Sequence, residues 1–189
     1  MLISSVIIGL VLALLRRGDL RALAAVRFRW WWLIVLAFGL KFLLVRSAGS
    51  SPWLLTYGPA LHAALYLLLL VPLLANRVLP GLRLVTAGVA LNGLVILANG
   101  GRMPVSESAL AALGKTATID ALARGQSVVH TLAADQTVLG LLGDWITLPP
   151  PWAAVASPGD FLLAAGVIRL ITAVAGTSRS TRSLPTLRA

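Results

Sequence analysis

At 189 residues, 58% hydrophobic, 12% charged and with a mean hydropathy of +0.91, the chain is too apolar for a soluble domain, where about a quarter of residues are charged. The absence of cysteine excludes disulfides, thiolate nucleophiles and cysteine metal sites, and His62 and His130 alone leave little for a transition metal, so no metal or cofactor is expected. The net charge of +10 suits nucleic acid, but the arginines flank hydrophobic runs, so orientation in a bilayer explains them more economically and no nucleic-acid partner is expected.

Met1 to Leu15 is apolar, with Arg16 and Arg17 after it rather than before it. That charge order is the reverse of a secretory signal peptide and reads as an uncleaved anchor with its N-terminus outside. The run is short of the ~20 residues of a full span, so the segment either continues past Arg17 or is only partly inserted. Residues 19–30 mix Leu20, Leu23 and Val26 with Arg21, Arg27 and Arg29, the pattern of a helix lying at the inner membrane surface. Trp30-Trp31-Trp32 marks the interface, and a second span runs to about Val45. A third runs from about Pro59 to Ala75 and a fourth from about Leu82 to Ala98, joined by a tight turn at Pro80-Gly81. The last span, at 159–176, precedes a polar, arginine-bearing tail at 177–189 that reads as disordered.

The fold class is therefore an all-α integral membrane bundle of about five transmembrane helices, or four if the first is partial. Residues 1–98 hold the earlier spans, with an interfacial helix inside, and residues 99–158 form an external cap of short helices. Ten arginines fall on the inner segments, against Arg46, Arg102, Lys115 and Arg124 on the outer ones. The positive-inside rule then places residues 99–158 outside the plasma (inner) membrane and the C-terminus in the cytoplasm, whether or not the first segment crosses.

Five of the six acidic residues (Glu107, Asp120, Asp135, Asp144 and Asp160) lie in 99–160. Asn99-Gly100-Gly101 reads as a helix end with glycine in the left-handed conformation. Short helical patterns follow at Ser106–Leu113 and Thr118–Arg124, each stopped by glycine. Val138 to Ile146 is apolar and suited to dipping into the outer leaflet, and Pro149-Pro150-Pro151-Trp152 reads as a stiff extended piece.

The strings Asn99-Gly100-Gly101-Arg102-Met103-Pro104-Val105, Leu142-Gly143-Asp144-Trp145-Ile146 and Ser157-Pro158-Gly159-Asp160 resemble a family of small bacterial multi-pass membrane proteins of unknown function. That resemblance implies no activity. Asn99-Gly100-Gly101, Asp144 and Asp160 in that order also carry a fainter likeness to the lipoprotein signal peptidases, small multi-span aspartyl peptidases. The likeness departs where that family's Gly-Asn-x-x-Asp-Arg string is absent, Asp144 being followed by Trp145.

The candidate residues carry bland and functional readings side by side. Asp144 and Asp160 would make a carboxylate pair in which one group acts as base and the other as acid. Against that, Ser157-Pro158-Gly159-Asp160 is a capping box, and Asp144 can pair with Arg102. Lys41 and Arg169 fall within spans, where charges are costly and usually paired; Lys41 is within reach of Asp160 or Asp144. His62 reads first as a packed, hydrogen-bonded histidine and second as a proton carrier, Asn92 as a helix–helix hydrogen bond, and His130 as a lone loop residue. No phosphate-binding loop, His-Glu-x-x-His or Gly-x-Ser-x-Gly occurs.

Three functions follow. The leading one is a non-catalytic membrane protein that binds a lipid or a membrane-protein partner through its external segment. The second is an intramembrane aspartyl hydrolase, with Asp144 and Asp160 catalytic and Asn99 and Arg102 positioning the substrate. The third is a small oligomeric permease using Lys41 and His62.

Overall fold

The structure, a computed structural model, describes residues 2–47 and 51–182, with side chains through Gly176. It is mostly helical. In chain order come α1 (Leu2–Leu15), α2 (Arg21–Ala24), α3 (Trp31–Ser47), α4 (Pro52–Ala75) and α5 (Leu82–Ala98). The segment after α5 holds β1 (Met103–Val105), α6 (Glu107–Ala112), α7 (Thr116–Ala123), β2 (His130–Leu132), a 3-10 turn at Gly140–Leu142, β3 (Ile146–Leu148) and β4 (Ala154–Ala156). The last element is α8 (Pro158–Arg182). Two helices, α4 and α8, are long and apolar enough to cross a membrane; α1 and α5 are apolar but shorter.

The five long helices pack in the order α3, α4, α5, α8, α1. What sets this order is most visible between α5 and α8. Gly88 faces the Gly159 carbonyl, and Gly166 faces the Gly81 carbonyl and Val85, so closely that a Cβ at Gly88 would come within 2.5 Å of the Gly159 oxygen. The glycines recur at the same spacing on two antiparallel helices, which lets the backbones touch. On the other flank of α8, Gly9 of α1 meets Ile171, and Ala13, Ile171 and Ala175 form a small buried cluster.

One end of the bundle is basic. There the Arg29 N–H donates to Asn76 Oδ1 at 2.9 Å, and Asn76 Nδ2 donates to the carbonyls of Arg29 at 2.8 Å and Pro72 at 2.7 Å. The Asp19 N–H donates to the Ala175 carbonyl at 2.9 Å, so the chain between α1 and α3 is tied to the end of α4 and to α8.

The opposite end carries the cap. β1 pairs in parallel with β2, matching Met103 to His130 and Val105 to Leu132, and a bridge joins Val105 to Asp144. β3 pairs antiparallel with β4, and β4 leads into α8. Val105, Leu110 and Leu122 form the buried core of the cap.

Several expectations are corrected. The interfacial helix over 19–30 reduces to the four residues of α2, because the backbone at Arg29 bonds Asn76 and Trp30 takes a left-handed φ of 59°. The cap contains two strand pairs beside its short helices. The apolar stretch 138–146 is a single 3-10 turn running into β3. Pro149 to Trp152 turns rather than extends, the Trp152 N–H donating to the Pro149 carbonyl at 3.1 Å. Helix α4 begins at Pro52, ahead of the expected span, and α8 continues to Arg182 through the start of the expected tail. Residues 183–189 lie outside the described residues.

Candidate functional site

The polar side chains converge where the bundle meets the cap. Helix α8 opens with a capping box: the Asp160 N–H donates to Ser157 Oγ at 3.1 Å, and the Ser157 N–H donates to Asp160 Oδ2 at 3.1 Å. Asn92 completes it from α5, its Nδ2 donating to Asp160 Oδ1 at 3.1 Å while its Oδ1 accepts from Ser157 Oγ at 3.0 Å. Asn92 and Ser157 are buried, and every hydrogen-bonding atom in the triad is used. The glycine seam makes this reachable, since Gly159 packs directly on Asn92.

Asp160 also borders a cavity of about 350 Å³ inside the bundle. Its walls come from α3 (Ile34, Ala37, Phe38), α4 (Leu65, Leu69, Leu73), α5 (Leu82, Val85, Val89) and α8 (Leu163, Ala164, Val167, Leu170). Lys41, Tyr66 and Asp160 are its polar residues. Lys41 Nζ lies 5.1 Å from the centre of the Tyr66 ring, a cation–π contact, and feels the charge of Asp160 and, less strongly, Asp144.

His62 is buried one turn before Tyr66 and meets its ring edge-on at 5.3 Å. Its Nδ1 lies 2.8 Å from the Gly101 carbonyl, and since a carbonyl only accepts, Nδ1 carries the proton. Nε2 is then an acceptor without a partner among the described residues. The contact pins the left-handed turn after α5, where Gly100 and Gly101 have φ of 65° and 87°.

Asp144 stands on the cap side, lining a separate pocket of about 210 Å³ with Val105, Leu110, Lys115, Thr118, Leu122, His130, Ala154 and Val155. Its side chain is 13% exposed. His130 Nε2 sits 4.0 Å from Asp144 Oδ2, beyond hydrogen-bond range. Burial, and secondarily the Asp160 carboxylate, pushes the Asp144 carboxyl up from 3.8 to about 7, against the opposing pull of Lys41.

Of the residues singled out in the sequence, Lys41 and Asp160 share the bundle cavity, Asp144 lines the separate cap pocket, and His62 lines neither. Asn99 and Arg102 do not join them. Asn99 closes α5, its Nδ2 donating to the Val95 carbonyl at 2.7 Å and the Val138 carbonyl at 2.8 Å. Arg102 ties cap to bundle, donating from Nε to the Ser127 carbonyl at 3.0 Å and from a terminal nitrogen to the Leu55 carbonyl at 3.1 Å. The expected Asp144–Arg102 pairing is thus replaced by the neighbour His130, because both guanidinium contacts go to backbone carbonyls. Sequence reasoning missed Tyr66, although its place one turn from His62 was a usable signal. It also passed over His130, which reaches Asp144 only through the strand register. No group of three or more His, Asp or Glu among the described residues is arranged to hold a metal ion.

These features define a class: a mostly helical protein with helices able to cross a membrane, an apolar cavity between them and a polar cluster beneath a small cap. Residues 25–172 match the family of unknown function DUF5317, and the chain belongs to that family. It is also similar to an uncharacterised protein of Thermotoga maritima, 30% identical over 169 residues that cover 88% of each chain. No solved structure matches. The family assignment agrees with the resemblance carried by the Asn99–Val105, Leu142–Ile146 and Ser157–Asp160 strings as far as a family of unknown function goes. Neither match is described as a peptidase.

Proposed function

We propose that this chain is a non-catalytic integral membrane protein of five crossing helices that binds a single-chain amphiphilic lipid inside its bundle. The tail lies along α3, α4, α5 and α8, and an anionic head sits beside Lys41. One observation carries the reading: the polar residues of the 350 Å³ cavity, Lys41, Tyr66 and Asp160, are gathered at its cap end, and the rest of the lining is apolar. Ligand sites combine this kind of apolar wall with a few placed polar groups.

The membrane setting has its own support. Large apolar side chains stay exposed along α1, α3 and α4, among them Ile7, Phe42, Leu43 and Leu67. Exposed tryptophans flank them, Trp30 to Trp32 at the basic end and Trp53 with Tyr57 at the cap end. The arginine distribution favours the plasma membrane with residues 99–158 outside and the C-terminus in the cytoplasm. With no native cysteine, Ser108→Cys should react with an impermeant thiol reagent applied to whole cells, and Arg77→Cys should not.

An aspartyl hydrolase has less support, because Asp160 is engaged by Ser157 and Asn92 and borders a different cavity from Asp144. A permease has less as well: Lys41 lines the bundle cavity, but His62 lines neither cavity.

The test is saturable binding of a dansyl-labelled fatty acid to the purified chain in nanodiscs. Leu69→Trp, which fills the cavity, should reduce binding at least about tenfold, and Lys41→Gln should weaken it by a similar factor through loss of a charged partner. Unchanged binding in a folded Leu69→Trp variant would overturn the reading.

A further inference from the structure

The cap pocket holds two charges of opposite sign that do not meet. Among the described residues none donates a hydrogen bond to the Asp144 carboxylate, although it is mostly buried, and the neighbouring His130 ring, held neutral by a pKa lowered to about 4, stops at 4.0 Å. On the same pocket Lys115 is half-buried and has no ion-pair partner among the described residues. A buried carboxylate without donors is costly, so the arrangement is complementary to a ligand rather than complete in itself. At about 210 Å³ the pocket is below the usual drug-sized range of roughly 300–1,000 Å³, which limits the occupant to a small group.

We propose that this pocket is a second binding site, taking a small zwitterionic group whose primary ammonium seats on Asp144 and whose anionic end meets Lys115. A primary ammonium offers three donors to a carboxylate that accepts from several directions, and Thr118 supplies a neutral hydroxyl on the same wall. The chemistry is shared by a free amino-acid-like solute and by a phosphoethanolamine headgroup at the outer leaflet. The site stands apart from the lipid cavity of the bundle, which lies on the other side of Asp160.

The pH dependence has a definite sign. The groups bearing on Asp144 are His130 from β2, Lys115 from the start of α7, Asp160 from α8 and Lys41 from α3. As pH rises, the Asp144 carboxyl, pushed up to about 7, gains its charge, while His130, held down to about 4 chiefly by desolvation, stays neutral. The change at Asp144 favours the ammonium. Affinity scales with the ionised fraction, so binding should be about tenfold tighter at about pH 8 than at about pH 6.

The experiment is calorimetric titration of the full chain in phosphatidylcholine nanodiscs with glycine and with O-phosphoethanolamine. Ethylammonium, which lacks the anion, and glycolate, which lacks the ammonium, serve as comparisons. A headgroup source is read separately, by native mass spectrometry, as retention of phosphatidylethanolamine over phosphatidylcholine. Zwitterion binding that tightens with pH and is lost in Asp144→Asn supports a free solute; selective phosphatidylethanolamine retention lost in the same variant supports the headgroup. Lys115→Gln should weaken zwitterion binding at least about fivefold and leave ethylammonium unaffected, which decides the matter if Asp144→Asn does not fold. A wild-type chain that takes neither glycine nor phosphoethanolamine and shows no lipid preference overturns the proposal. So does binding that ignores both substitutions, or that weakens as pH rises. Dansyl fatty-acid binding would persist in any of these cases, which separates this failure from failure of the bundle-cavity reading.

Discussion

Asp160 and Asp144 sit on either side of the level where bundle gives way to cap, and the protein treats them in opposite ways. Both oxygens of Asp160 are taken, one by the Ser157 N–H and one by Asn92, and its own N–H is returned to Ser157. The Asp144 carboxylate is also largely sheltered from water, yet it accepts no hydrogen bond from the described residues, with a histidine 4.0 Å away. A carboxylate whose hydrogen bonds close within the fold stabilises it; one whose bonds stay open weakens it until something else arrives. Two acids of the same kind thus differ, one closed within the fold and one left open, by their neighbours alone.

That contrast can be broken at its source by separating α5 from α8. Gly88→Leu pushes a side chain into the Gly159 backbone and should leave no folded protein, read as loss of a monodisperse peak after detergent extraction. Asn92→Leu keeps the seam but strips partners from Asp160 Oδ1 and Ser157 Oγ, and should cost about 3 kcal/mol in chemical unfolding.

Asp144→Asn should act with the other sign. The folded carboxyl titrates near 7 against an ordinary 3.8, so the fold holds this proton more tightly than the unfolded chain does. Its contribution is present below the ordinary value and is lost as pH rises through about 7. The variant should therefore match the wild type near pH 4 and exceed it by roughly 1–3 kcal/mol above pH 7, read as a pH-dependent difference in Tm. A variant that is less stable at high pH would mean that Asp144, like Asp160, is a structural acid. The smallest effect belongs to Gly100→Ala, where nothing lies within 4 Å but φ is 65°; it should cost about 1 kcal/mol from backbone conformation alone.

The readable parts of this molecule are those whose cause is local. Apolar runs gave spans to about Val45, from about Pro59 to Ala75 and from about Leu82 to Ala98, which fall within α3, α4 and α5, and Ser157-Pro158-Gly159-Asp160 gave the cap of α8, because capping needs only four consecutive residues. The strands were not readable. Three residues such as Met103–Val105 are too short to show a two-residue period, and their partner at His130–Leu132 is far along the chain. Arg102 looked like a substrate-positioning residue because its charge is visible in the sequence, whereas its acceptors, the Ser127 and Leu55 carbonyls, are not.

The sequence by itself determined the apolar character, the helical class, the charge asymmetry of the two ends and the places where acids and histidines stand in the chain. Tertiary structure alone decided which of them meet. Lys41, Tyr66 and Asp160 share a cavity because α3, α4, α5 and α8 all line it, and α5 lies so close to α8 only because glycines face each other across the seam. Asp144 and His130 share a pocket because a strand register, not a sequence spacing, sets them side by side. Composition is a property of residues one at a time, while the partners of a buried charge depend on which surfaces the fold brings together.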